Sequence, residues 1–129
     1  MSDTNVSDGS ARGDNLRTDG ARLWDSLMEM AKIGATEKGG VCRLALTDLD
    51  RESRDLFARW CEEAGCTISV DKMGNMFARR PGRNNDLPPI MTGSHLDSQP
   101  TGGKYDGVYG VLAGLEVVRT LNDLKIETE

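Results

Sequence analysis

His95, the only histidine of the chain, stands two residues before Asp97 in Gly93-Ser94-His95-Leu96-Asp97-Ser98. A glycine-rich stretch, Gly102-Gly103-Lys104-Tyr105-Asp106-Gly107, then carries a second aspartate to the edge of a helical pattern. Neutral imidazole is the commonest protein ligand for zinc and similar ions. If the chain stays extended, Asp97 points to the same side as His95. Its carboxylate could there accept the second ring N–H of His95 or of another ligand, fixing the tautomer and raising its basicity. Asp106 has two carboxylate oxygens, enough to bridge two cations about 3.5–4 Å apart, the spacing of two-metal hydrolase sites. Each residue also has a plainer use. A lone histidine commonly serves structural or surface roles, Asp97 could cap its loop, and Asp106 could act as a helix N-cap. Context favours chemistry, because all three gather at the mouth of one predicted strand.

That strand is Leu87-Pro88-Pro89-Ile90-Met91-Thr92-Gly93, a short apolar run suited to the interior of a sheet covered on both faces. In open α/β sheets the loops beyond the carboxyl ends of the strands hold ligands, which is where the three residues fall. Behind them, Val108, Val111, Leu112, Leu115, Val118 and Leu121 recur at helical spacing, and Gly110 and Gly114 would let that helix pack closely on the sheet. Upstream, Leu16 to Ile33 has the pattern of an amphipathic helix ended by Gly34. Gly39 to Leu46 is a turn into a short apolar stretch. Thr47, Asp48 and Asp50 offer N-caps for a second helix running to Ala64, with Gly65 as its stop. Cys66 to Val70 and Met76 to Arg79 alternate about the turn Asp71-Lys72-Met73-Gly74-Asn75 and predict a hairpin, followed by a solvated loop from Arg80 to Leu87. Residues 1–15 hold almost nothing apolar to bury and are expected to form a flexible tail, leaving 16–129 as the folded part.

Composition narrows the function classes. The chain has 129 residues, enough for one modest core, and a net charge of −5, which disfavours nucleic acid as a partner because phosphate binding wants a basic face. Cys42, Cys61 and Cys66 are odd in number and lack C-x-x-C spacing, so they suggest buried thiols in a reducing compartment. No apolar run approaches the roughly 18 residues of a membrane span, and no secretory signal is evident. A soluble cytoplasmic enzyme is expected.

A wider set of motifs makes the chemical reading sharper. Gly39-Gly40-Val41 with Arg43, Ala45-Leu46-Thr47, Asp50 and Arg54 come first, then Trp60-x-x-Glu63-Ala64-Gly65 and Asp71-x-x-Gly74-Asn75. The His95 and Asp97 element follows, then Asp106-Gly107-x-x-Gly110-Val111-Leu112-Ala113-Gly114-Leu115-Glu116. In this order they resemble the amidase, hydantoinase and carbamoylase family of dinuclear-metal hydrolases, which includes N-carbamoyl-L-amino-acid hydrolases, allantoate amidohydrolases and β-ureidopropionases. The related metal-dependent aminoacylases and carboxypeptidases share H-x-D but usually have a longer, Trp-containing stretch before the bridging aspartate.

The resemblance implies an α/β fold: the N-terminal part of a zinc-aminopeptidase-like catalytic domain, a three-layer α/β/α arrangement on a mixed sheet, truncated before the lid domain. It implies His95 as a terminal ligand of one metal, Asp106 as the bridging ligand and Asp97 as the catalytic residue supporting the metal-bound histidine. Two divalent ions would complete the site, zinc or manganese, with cobalt or nickel also suited. They would polarise a linear amide or ureido carbonyl of a small-molecule substrate and activate water, while a glutamate relays the proton to the leaving nitrogen. The complete enzyme is expected to be a homodimer. The Glu-Glu pair beyond Asp106 and the two further histidines that the family's pattern requires are not found: Glu127 and Glu129 are too near Asp106 and wrongly spaced. The chain alone is therefore expected to be inactive. The competing expectation is a non-catalytic remnant that binds a partner; the coding sequence beyond Glu129 separates the two.

Overall fold

The computed structural model describes residues 16–129; the expected tail lies outside the described residues. Three helices and one hairpin make up the fold, in the order α1 (Gly20–Met30), α2 (Asp48–Glu63), β1 (Thr67–Val70), β2 (Met76–Arg79) and α3 (Val108–Asp123). It is a mixed α/β chain with a small sheet.

Local chemistry sets the helix ends. The first helix starts later than its apolar spacing suggests because Asp19 leaves the helical range and its carboxylate accepts the Arg22 N–H at 3.0 Å. A side chain that satisfies an otherwise orphaned N–H fixes the start of a helix more firmly than periodicity does. The segment after Met30 turns through Ala31 to Gly34 rather than prolonging the helix. The second helix begins with a reciprocal cap: the Thr47 hydroxyl accepts the Asp50 N–H at 3.3 Å, and the Asp50 carboxylate accepts the Leu46 N–H at 3.0 Å. Its end at Ala64 and Gly65 follows the predicted stop.

The hairpin is antiparallel, with Thr67 opposite Arg79 and Val70 opposite Met76. Its turn is held by the Asp71 carboxylate, which accepts the N–H groups of Met73 and Asn75 and the Asn75 side-chain amide, each at 2.9 Å. These bonds hold the Asp71 carboxyl below the usual carboxylate range, the Asn75 side chain contributing most. Arg54 ties the turn to α2 by donating to the Gly74 carbonyl at 2.7 Å.

The core lies among the helices. Leu27, Met30 and Ile33 meet Cys61, Cys66, Val108, Leu112 and Leu115, all buried. One ion pair is built into it: Glu116, 1% exposed on α3, accepts two bonds from the Arg22 guanidinium at 2.9 and 2.7 Å, one from the Asp19 N–H at 3.1 Å and one from the Thr120 hydroxyl at 3.2 Å. Burial pushes the Glu116 carboxyl up, but these donors outweigh it and hold it below its ordinary value.

One expectation needs correction. The segment Leu87 to Gly93 does not form an inner strand: it opens with a bend at Leu87 and carries no regular structure after it, and among the described residues no strand pairs with it. Ile90 is fully exposed and Met91 73% exposed. Pro88 and Pro89 have no N–H to give a ladder, and an apolar strand is buried only where neighbours and helices cover both of its faces. Here one face alone is covered, by α3. A Cβ built on Gly114 would lie 2.9 Å from the Thr92 methyl, and one on Gly110 would lie 2.8 Å from Ser94 Cβ. The predicted role of these glycines in close packing thus holds, against an unpaired segment instead of a completed sheet.

Candidate active site

Two tethers place the loop that carries the candidate residues. Val41 exchanges backbone hydrogen bonds with Gly102, N–H to carbonyl at 2.9 Å and back at 3.0 Å. Two residues later, Arg43 grips the other side of the loop. Its carbonyl accepts the Ser98 N–H at 2.7 Å, its own N–H donates to Ser98 Oγ at 2.8 Å, and its Nε donates to the Leu96 carbonyl at 2.8 Å. Asp97 is therefore bracketed by residues fixed to Arg43 on both sides. Trp24 of α1 meets the Tyr105 ring at 6.2 Å between centroids, which tethers the glycine-rich segment just before Asp106.

His95 is half-exposed, and its Nδ1 lies 3.0 Å from the Asp97 carbonyl oxygen and 3.3 Å from the Asp97 carboxylate. With the proton on Nδ1 the ring donates to Asp97 and its Nε2 keeps the lone pair. The face of the ring rests on Gly107: a Cβ there would come within 2.5 Å of both ring nitrogens. Gly107 is also the N-cap of α3, at φ 72, and makes no side-chain cap. Asp106 is thus one residue outside the cap, exposed, with no hydrogen bond to its carboxylate among the described residues. The plainer use of Asp106 as an N-cap is not what the fold makes of it. The His95 ring lies against Gly107, the residue that follows Asp106, and Asp97 contacts His95 directly.

Sequence reasoning gave Arg43, Ser98 and Gly107 no role in the site. Arg43 is 1% exposed, and Nη1 also donates to the Ile33 and Met30 carbonyls at 2.7 and 3.2 Å. Burial pulls its guanidinium below the usual arginine range, opposed by the negative charge of Asp50 and Asp97. The available signal was an arginine inside the apolar stretch Val41-Cys42-Arg43-Leu44, since a charge in such a run must be exposed or specifically bonded.

Over 120 residues the chain is 62% identical to an N-carbamoyl-L-amino-acid amidohydrolase of Rhizobium meliloti, a match that takes in 93% of this chain and 29% of that protein. It superposes on the crystal structure of an amidase of the hydantoinase/carbamoylase family from Burkholderia multivorans with a TM-score of 0.88 and 70% identity, over 88% of this chain and 28% of the other. The chain belongs to the hydantoinase/carbamoylase family of amidases. An allantoate amidohydrolase of Bacillus subtilis is more distant, 35% identical over 101 residues that make up 78% of this chain and 24% of that protein. No family model matches. The chain thus spans under a third of the length of these curated relatives.

The donors present suit the divalent metal ions that the family motifs led us to expect, in type though not in number. An imidazole with a free Nε2 and a carboxylate with unspent oxygens are ordinary ligands. Among the described residues, however, no group of three or more His, Cys, Asp or Glu side chains could hold a metal ion.

Proposed function

We propose that the chain supplies one corner of the active site of a cytoplasmic, metal-dependent hydrolase of linear amide or ureido C–N bonds, of the N-carbamoyl-L-amino-acid hydrolase or allantoate amidohydrolase type. In this reading it forms part of a three-layer α/β/α catalytic domain of the zinc-aminopeptidase kind, completed by a lid domain, in a homodimer acting on a small-molecule substrate. His95 is a terminal ligand of one of two divalent ions and Asp106 the bridging ligand, the other ligands and the general base coming from outside the described residues. When bound, such ions polarise a carbonyl and lower the pKa of water towards neutrality. The chain's own contribution is orientation: Asp97 holds the His95 ring by Nδ1, and Gly107 provides the surface on which the ring lies. Hydrolysis of a carbamoyl substrate would release ammonia, carbon dioxide and the free amine.

The observation that carries the reading is the match to the Rhizobium carbamoylase, which extends over 93% of the chain and so takes in the segment where His95 lies against Gly107 beside Asp106. Among the described residues no helix is long and apolar enough to cross a membrane, and the three cysteines are free, which agrees with a reducing compartment. The test is ammonia release from N-carbamoyl-L-amino acids and from allantoate by the full-length product of the gene, with and without His95→Ala. Metal-dependent release that falls by more than 100-fold in the variant is expected. Unchanged release by His95→Ala would refute it. Exposed Ile90 and Met91 favour the second reading, a non-catalytic remnant packed on a partner; absence of any hydrolysis by the full-length product, with a partner retained, would favour that one.

A further inference from the structure

Arg43 has a bonding pattern unlike that of an arginine kept for an ion pair. Among the described residues no carboxylate lies within ion-pair distance of it, and its three side-chain hydrogen bonds all go to backbone carbonyls. Two of these, Met30 and Ile33, stand at and just beyond the C-terminal end of α1, where a cation is favoured by the helix dipole; the Met30 carbonyl also accepts the Ile33 N–H at 3.2 Å. The third is Leu96, between His95 and Asp97. A buried charge without its bonds costs several kcal/mol, so the geometry of these bonds is strongly enforced. The backbone of the same residue clamps Ser98 from both sides. One residue thereby ties the end of α1, the bridge-forming segment at Val41 and both peptides flanking Asp97 into one unit.

We infer that Arg43 is a positioning residue for the active site: it fixes the Leu96-Asp97-Ser98 backbone against α1 and so sets the orientation in which Asp97 meets His95. The inference rests on the proposed amidohydrolase reading and adds a residue to it. Arg43 touches neither substrate nor reacting atoms and acts through the loop alone. A planar guanidinium reaches three carbonyls at once, which a lysine ammonium on a flexible stem cannot reproduce in the same geometry.

The test uses the full-length gene product with Arg43→Met, Arg43→Lys and Ser98→Ala, measured for kcat, KM and melting temperature, and for affinity towards Zn2+ alone by competition with a chromogenic chelator. Loss of an orienting partner typically costs 10–100-fold in metal affinity or activity. Arg43→Met should lower kcat and Zn2+ affinity by that range while KM changes less than about 3-fold, and Arg43→Lys should recover part of the loss. Ser98→Ala removes one side of the clamp with little change in volume, and should lower kcat by about 3–10-fold if Arg43→Met proves too unstable to assay. Wild-type kcat and Zn2+ affinity in folded Arg43→Met, or in Ser98→Ala if it alone folds, would overturn the inference and leave Arg43 a purely structural residue. If His95→Ala retains wild-type activity in the same assay, it is the amidohydrolase reading that fails instead.

Discussion

Gly107→Ala tests the packing of the imidazole separately from the strain of the backbone. At φ 72 and ψ −49 Gly107 is the centre of a γ-turn closed by the Val108 N–H on the Asp106 carbonyl at 2.8 Å, a backbone conformation that costs an alanine about 1–3 kcal/mol. Its Cβ would also stand 2.5 Å from both nitrogens of His95, so the ring must withdraw by about 1 Å to restore an ordinary contact of ~3.5 Å. A displacement of that size in a group that orients a reaction can cost about 100-fold, which is about 2.7 kcal/mol of barrier. Gly74→Ala is the control, because Gly74 sits at φ 87 in the hairpin turn with nothing within 4 Å of an added Cβ. Both variants should lose about 1–3 kcal/mol in urea unfolding from backbone strain. Only Gly107→Ala should lose about 100-fold in kcat for ammonia release, with a shift of the His95 ring resonances. If the two variants lose kcat equally, or the His95 resonances stay in place, the ring does not depend on Gly107 and the geometry assigned to the site is wrong.

Two further predictions concern the scaffold. Glu116→Gln should cost about 1.5–3 kcal/mol at pH 7, the worth of hydrogen bonds to a charged group. Because the folded carboxyl titrates below its ordinary value of 4.5, its contribution is complete above that pH and disappears as pH falls through the lowered value. The difference between wild type and variant in urea unfolding should therefore shrink from pH 7 to pH 3, and an equal difference at both would contradict the assignment. For the thiols, burial above all, helped by neighbouring Cys66, pushes Cys61 up to about 12, so at pH 8 it should resist a disulfide-exchange reagent in the native protein and react fully in urea. Rapid native labelling of Cys61 would show that the core is open.

Sequence pattern was most informative where one local rule decided the structure. The second helix emerged with its Thr47 cap and Gly65 stop, and the hairpin with the turn at Asp71 to Asn75, because capping and Asx-turn chemistry are written in adjacent residues. The first helix was drawn too long at both ends, since apolar spacing at Leu16 could not show that Asp19 would leave the helix to cap it. The pairing of Arg22 with Glu116 joins residues on different helices, so each was legible only as a polar position. Cys42 proved only partly buried while Cys61 and Cys66 are buried, a split that composition alone does not give. The expected strand at Leu87 failed for a different reason: its apolar pattern specifies burial, but burial depends on neighbours that the described residues do not contain.

The local order of the candidate site despite that missing strand shows what holds it. Sheet pairing cannot, since Leu87 to Gly93 has no ladder partner among the described residues. The unpaired segment is instead held by Gly107 at the N-cap of α3 and by Gly110 and Gly114 within it, which admit His95, Ser94 and Thr92 in turn, and by the Arg43 clamp on Leu96 and Ser98. Gly110 and Gly114, four residues apart, lie on one face of α3, and Gly107 at its N-cap adds a third contact at backbone distance. Ile90 and Met91 stay exposed on this unpaired segment, while the placing of His95 against Asp97 and Gly107 follows from contacts present among the described residues.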